Sequence, residues 1–320
     1  MNPKILFSLI IPVYKNEDSL SLLLARVTDL HRRLDGALEA IFVVDASPDR
    51  CHQILLQSLP ACPFPAELIH LSRNFGSAAA CRMGLSVAHG QYFAAMAADL
   101  QEPAELILSF FEILRQETID IVLGVRSGRD DPLPSKLSAN LFWLIYKKFV
   151  QAEMPAGGID VFGCNRKVRD MLLQLHEANT SLAGQLIWLG FRRQEIPYRR
   201  LARSRGKSSW TFCRKVGYML DSIFSFTDLP ITAIMFLGWS GLLTSLVLAT
   251  SVLVSWYCGK TDVPGYTPLI LVMFFSLSLL LISLGIIGNY VWRSFENTKN
   301  RPLFLPMGQE SFSPPRDSNK

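Results

Sequence analysis

Along the first two thirds of the chain, short apolar runs alternate with segments whose apolar residues recur at helical spacing. Lys4–Val13 reads as a buried strand, Ser19–Leu34 as an amphipathic helix, Ala40–Asp45 as a strand and Asp49–Leu59 as a helix. Ala66–Leu71, Ser77–Ala88 and Gln91–Ala97 continue as strand, helix and strand, and Gly124-Val125-Arg126 closes a further apolar strand. A helix is expected to open near Leu137, with Lys136 and Ser138 at its start. Apolar runs of strand length separated by helical periods predict an α/β domain with a mostly parallel sheet.

The last third differs. Leu229–Tyr257 and Tyr266–Trp292 are apolar over more than the roughly 20 residues a helix needs to cross a bilayer core. They are expected to form a transmembrane hairpin closed by the Gly/Pro turn Cys258–Gly265. Basic residues flank it on both sides: Arg199, Arg200, Arg203, Arg205, Lys207, Arg214 and Lys215 before, Arg293, Lys299 and Arg301 after. The positive-inside rule then puts both termini in the cytoplasm. Ile5–Val13 is too short for a signal peptide, so the α/β domain is expected to be cytosolic. The domain reading is 1–210 for the α/β domain, 211–228 for an amphipathic juxtamembrane helix, 229–293 for the hairpin and 294–320 for a cytoplasmic tail. From about Met307 the tail is polar and expected to be disordered.

Composition sharpens this picture in two places. Of the 320 residues 49% are hydrophobic, yet the net charge of +5 gathers beside the spans, which suits anionic lipid or ligand and not nucleic acid. The six cysteines show no metal-type spacing and are expected to be reduced and incidental.

The candidate chemistry lies where strands end. Tyr92-Phe93-Ala94-Ala95-Met96-Ala97-Ala98 runs into Asp99-Leu100-Gln101-Glu102-Pro103. In open α/β sheets ligands sit beyond the carboxyl ends of the strands, so Asp99 with Gln101 can offer hard oxygen ligands to a divalent cation. The competing reading is a helix cap, because Glu102-Pro103-Ala104-Glu105 suits a first helical turn. Two further strand ends carry acids, Tyr14-Lys15-Asn16-Glu17 and Asp45-Ala46-Ser47-Pro48-Asp49. Glu17 and Asp45 suit ribose hydroxyls and a base edge, and a cation at Asp99 suits a diphosphate.

In order and spacing, Ile11-Pro12-Val13-Tyr14 with Asn16-Glu17, Asp45 with Ser47-Pro48-Asp49, Leu71–Gly76 and Ala98–Pro103 resemble family 2 glycosyltransferases. The nearest likeness within that family is to polyprenyl-phosphate glycosyltransferases of the dolichol-phosphate mannose synthase and bacterial undecaprenyl-phosphate type, and it extends through Leu284–Trp292 and Asn300–Leu303. The resemblance implies a GT-A fold. It also implies nucleoside contacts from Pro12, Tyr14, Glu17 and Asp45, with Arg73 and Asn74 beside them, and Mg2+ or Mn2+ held by Asp99 and Gln101. The chain departs from the family pattern at Ala97, where members often carry another acid. The metal site implied is therefore one carboxylate, one amide and the substrate's phosphates.

Further along, the resemblance assigns Arg126, Lys136 and Ser138 to the acceptor phosphate, and Asp160 to a position near the acceptor, as base or as orienting group. Arg203, Arg205, Lys207 and Ser208 resemble a loop that closes over the diphosphate; a basic membrane belt is the other reading, favoured for Arg199, Arg200, Arg214 and Lys215. The implied activity is inverting transfer of a sugar from a nucleotide sugar, such as UDP-glucose or another UDP-hexose, to undecaprenyl phosphate at the bacterial inner membrane. A tetramer is possible by the same likeness. A non-catalytic scaffold or lipid carrier and a polysaccharide synthase subunit are the alternatives; two spans are few for a polymer channel, and no Gln-x-x-Arg-Trp sequence is present.

Overall fold

The computed structural model describes residues 5–126, 147, 151–155, 158–177, 180–201, 212–227, 229–258 and 266–315. Eight strands form one sheet: β1 (Phe7–Val13), β2 (Leu38–Val44), β3 (Ala66–Leu71), β4 (Tyr92–Ala95), β5 (Ile121–Arg126), β6 (Val161–Asn165), β7 (Arg193–Tyr198) and β8 (Pro306–Phe312). Their order is β7-β5-β6-β4-β1-β2-β3-β8. β1 runs parallel to β2 and β4, β2 to β3, and β5 to β7; only β6 and β8 run against their neighbours. This is the mostly parallel α/β sheet that the alternation of apolar runs and helical periods predicted.

The central strands are apolar throughout because both faces are covered. On one face Leu9, Ile11 and Val13 pack with Leu20, Leu23 and Val27 of α1 (Leu20–Arg33) and with Phe110 and Phe111, which lie on a later helix. On the other, Ile10, Ile41 and Val43 meet α3 (Ser77–Val87), reached after α2 (Cys51–Ser58). The helix carrying Phe110 and Phe111 is α4 (Ala104–Arg115), and α5 (Arg166–Gln174) and α6 (Leu182–Trp188) complete the second layer through Val168, Leu172, Leu186 and Ile187. Helix α3 lies so close to β1 that a Cβ on Gly84 would sit 2.5 Å from Ile10 Cγ2.

Beyond the sheet, α7 (Phe212–Phe226), α8 (Leu229–Tyr257) and α9 (Tyr266–Thr298) follow with the predicted starts. Among the described residues, Phe275–Thr298 is long and apolar enough to cross a membrane. A second such stretch arises only when Leu220–Phe226 and Leu229–Gly241 are taken together across an 81° bend. Arg293 of α9 reaches Asp221 of α7 at 2.6 Å, and the Tyr290 hydroxyl donates to the Thr227 carbonyl at 3.2 Å.

The expected disorder after Met307 is not found. Instead β8 pairs antiparallel with β3, from Ala66 opposite Phe312 to Leu71 opposite Pro306. Its side chains are mostly exposed and polar, so the strand is held by main-chain bonding to an open sheet edge, which low hydrophobicity does not disclose. Ser311 Oγ donates to Glu67 Oε1 at 2.6 Å, and the Phe304 and Phe312 rings pack on the two core layers. Helices α7 to α9 therefore lie, in sequence, between the two edge strands of the sheet, β7 and β8.

Candidate active site

Because β1 lies between β2 and β4, the three acid-bearing strand ends are neighbours. The β1–β4 ladder stops at Ile10 opposite Ala95, two residues before Pro12, so a central strand accommodates a residue with no N–H to donate. Just past each of the three ends stands a non-glycine residue in the left-handed region: Lys15 at φ 56, Ala46 at φ 45 and Leu100 at φ 61. Each such residue costs of order 1 kcal/mol, and strain of this kind gathers at ligand sites.

The first two ends are stitched to each other. Lys15 N donates to Ser47 Oγ at 2.7 Å, Glu17 N to Asp49 Oδ2 at 3.3 Å, and Arg50 N to Glu17 Oε2 at 3.0 Å. Burial works against the Asp49 charge, but hydrogen bonds from Ser47, Cys51 and the Glu17 amide outweigh it and hold the carboxyl below its ordinary range. Tyr14 N donates to Asn16 Oδ1 at 3.3 Å, which fixes the turn that carries Glu17.

Asp45 is buried, and both its oxygens are engaged. Oδ1 accepts from Phe75 N at 2.7 Å and Oδ2 from Gly76 N at 2.8 Å, while Asn74 Nδ2 donates to the Asp45 carbonyl at 3.3 Å. Burial raises its pKa and the two amides pull the other way. The arrangement anchors the entry to α3 and folds Arg73 over the Phe75 ring, 4.3 Å from its centroid. Each carboxylate oxygen keeps a second lone pair, so this anchoring leaves room for a further donor.

At the third end, Gln101 N donates to Asp99 Oδ1 at 3.3 Å, an Asx-type turn. Helix α1 and the residue before it support this loop: Ser19 Oγ donates to the Ala98 carbonyl at 3.0 Å and Arg26 Nη1 to the Glu102 carbonyl at 2.6 Å. Gln101 is paired with the segment after β7, its carbonyl accepting from Leu201 N at 2.9 Å and its Nε2 donating to the Leu201 carbonyl at 3.2 Å. With the amide nitrogen so used, the side-chain oxygen is the atom available to a cation.

The β5–β6 and β5–β7 registers assemble the other side of the site. Arg126 stands opposite Tyr198, and Asp160 lies one residue before β6. Asp160 receives a two-point ion pair from Arg126, with Nη2 to Oδ1 at 2.7 Å and Nε to Oδ2, and accepts from the Tyr198 hydroxyl at 2.9 Å. Burial opposes the Arg126 charge, yet Asp160 outweighs it and the guanidinium pKa rises. The Tyr198 hydroxyl is pushed up by burial and then by the charges of Asp160 and Glu102. A carboxylate held by three donors is suited to orienting a partner.

Glu102 and Tyr198 were not assigned to the site by the sequence reading, and Arg200 was read as part of a membrane belt. Glu102 was read only as part of a first helical turn, yet it is 1% exposed and its Oε2 accepts from Ala97 N at 3.3 Å. Burial and the nearby charges of Asp99 and Asp160 push its pKa up to about 7, with Arg200 opposing. The unusual Glu102-Pro103 step directly after the Asp99 turn was the available signal. Lys136, Ser138, Arg203, Arg205, Lys207 and Ser208 lie outside the described residues.

Among the described residues no group of three His, Cys, Asp or Glu side chains is placed to hold a metal ion. The oxygen set of Asp99 and Gln101 fits a cation that completes its shell with water and phosphate, as Mg2+ does, and does not fit an all-protein cage.

The profile of glycosyl transferase family 2 matches residues 8–174. An uncharacterized glycosyltransferase of Synechocystis sp. is 32% identical over 299 residues, 93% of either chain. The uncharacterized glycosyltransferase YkcC of Bacillus subtilis is 28% identical, covering 95% of this chain and 94% of its own. An undecaprenyl-phosphate 4-deoxy-4-formamido-L-arabinose transferase of Salmonella choleraesuis is 27% identical over 93% of this chain and 91% of its own. The family match takes in the three acid-bearing strand ends and Asp160 and covers more than half the sequence; the chain belongs to glycosyl transferase family 2.

Proposed function

We propose that this glycosyltransferase moves a hexose from a nucleotide sugar, a UDP-sugar by preference, to undecaprenyl phosphate, with inversion at the anomeric carbon. One observation carries the reading. A cleft of three adjacent strand ends with acidic side chains shares a chain with a helix apolar enough to cross a membrane, and the strand after that helix returns to the sheet. The likeness of the Salmonella transferase, named for undecaprenyl phosphate, covers 93% of this chain.

In this reading Pro12, Tyr14, Glu17 and Asp45 hold the nucleoside, and the Arg73-Asn74-Phe75 turn tied to Asp45 closes beside it. Asp99 and Gln101 hold Mg2+ or Mn2+, which when bound neutralises the diphosphate leaving group. The acceptor phosphate has a second pKa near 6 and is already largely a dianion at neutral pH, so its oxygen needs no general base. Asp160, held by three donors from Arg126 and Tyr198, serves to fix the guanidinium that meets the acceptor. The lipid acceptor explains the membrane-directed helices: α8 and α9 form a two-span hairpin, both termini face the cytoplasm, and the enzyme resides in the bacterial inner membrane.

The deciding experiment is transfer of radiolabel from UDP-glucose, and from a panel of UDP- and GDP-sugars, to extracted undecaprenyl phosphate. A metal-dependent, single-sugar lipid product that Asp99→Ala abolishes and Ala97→Asp preserves is the expected result. A chain that yields no sugar lipid with any donor is a scaffold or carrier, and a polymeric product makes it a polysaccharide synthase.

A further inference from the structure

Two fixed points bracket Arg200. On one side the Tyr198 hydroxyl is bound to Asp160 at 2.9 Å; on the other, Leu201 is bound twice to Gln101, at 2.9 and 3.2 Å. The short segment between them thus spans from the Asp160 cluster to the Asp99-Gln101 turn. Arg200 rides on it with its Nε buried and without a hydrogen-bond partner among the described residues. Leaving a buried donor unmet costs about 1–3 kcal/mol, and more for a charged group, so the position suits an acceptor that the described residues do not supply.

The neighbouring acids do not supply it. Asp160 is taken by Arg126 and Tyr198, and Glu102 accepts from the Ala97 amide. Arg200 is near enough to Glu102 to act on its charge, yet its Nε makes no hydrogen bond to that carboxylate. A guanidinium whose buried Nε is unmet beside the Asp99-Gln101 turn suits an anion that arrives with its own cation, and phosphate oxygens match the arginine fork.

We propose that Arg200 binds a phosphate oxygen of substrate between Gln101 and Asp160, an inference that rests on the sugar-transfer reading of the site. The phosphate belongs either to the donor's diphosphate or to the lipid acceptor. Purified full-length protein in detergent, with Mg2+, is titrated with UDP, uridine and inorganic pyrophosphate, and KM is measured for undecaprenyl phosphate. Thermal unfolding of Arg200→Gln is followed alongside.

If the donor is the source, Arg200→Gln weakens UDP and pyrophosphate by about tenfold or more, leaves uridine unchanged, and Arg200→Lys recovers part of the loss. If the acceptor is the source, the same variant raises KM for undecaprenyl phosphate by a similar factor and spares UDP. Unchanged binding of UDP, pyrophosphate and acceptor overturns the proposal, as does a loss confined to thermal stability. Failure of the wild type with UDP and every sugar donor, with pyrophosphate binding that still depends on Arg200, removes the sugar-transfer reading and keeps the phosphate site.

Discussion

The hydroxyl of Tyr198 donates to Oδ2 of Asp160 at 2.9 Å, and this bond joins the end of an edge strand to the start of an internal one. Removing the hydroxyl in Tyr198→Phe deletes one donor of three and is expected to lower turnover by up to about tenfold, as a bond of ~1 kcal/mol implies. Asp160→Asn leaves the Arg126 guanidinium without its charge partner and is expected to cost roughly 100-fold. If Asp160 orients rather than takes a proton, the acid limb of the kcat profile is unchanged in Tyr198→Phe; a moved limb contradicts the orienting role.

Gly84 is the point where α3 meets β1. A methyl group there meets Ile10 Cγ2 at 2.5 Å, so Gly84→Ala is expected to destabilise the fold by about 1–3 kcal/mol. Pairing it with Ile10→Ala, which clears the space, makes the double variant less unstable than the sum of the singles. Denaturation midpoints of the four proteins give the coupling directly; strict additivity contradicts the contact.

Asp120 titrates at the acid end. Arg192 approaches it with Nε to Oδ2 at 2.8 Å and Nη2 to Oδ1 at 3.1 Å, and Asn165 Nδ2 adds a bond at 2.8 Å. The Arg192 hydrogen bond, against an opposing burial effect, holds the native carboxyl below its ordinary value. A depressed native pKa means stability that is present above the unfolded value near 3.8 and lost as pH falls through the native one. Asp120→Asn is therefore less stable than wild type at neutral pH, and the gap in Tm narrows below about pH 4. A gap that is constant with pH removes the charge from the explanation.

Truncation after Asn300 removes β8 together with the Phe304 and Phe312 packing. Loss of that half-buried apolar area costs on the order of 2 kcal/mol and bares the β3 edge. Faster amide exchange along Ala66–Leu71 and concentration-dependent aggregation are the expected signs; unchanged exchange there makes the pairing dispensable.

How much could be read from the sequence follows the source of each element's stability. β1 to β4 and α1 to α3 were legible because a parallel sheet covered on both faces needs continuous apolar strands, and Ala66–Leu71 matches its predicted limits. β6 and β7 were not, since antiparallel insertion of β6 between β4 and β5 is a tertiary choice and β7, Arg193–Tyr198, is largely polar. β8 hides for a similar reason: its partner lies over 200 residues away in sequence. In the site, the acids of the strand ends were legible from where apolar runs stop. Arg200 was read as part of a membrane belt, because the pairing of Leu201 with Gln101 that sets its segment beside the Asp99 turn joins residues 100 apart in sequence.

With β7 at one rim and β8 at the other, helices α7 to α9 sit in the chain like the handle of a pail, set between strands at the two opposite rims of the sheet. A piece cut at residue 210 would be a pail with one rim open, and grafting a foreign anchor there would restore proximity to the bilayer without restoring orientation.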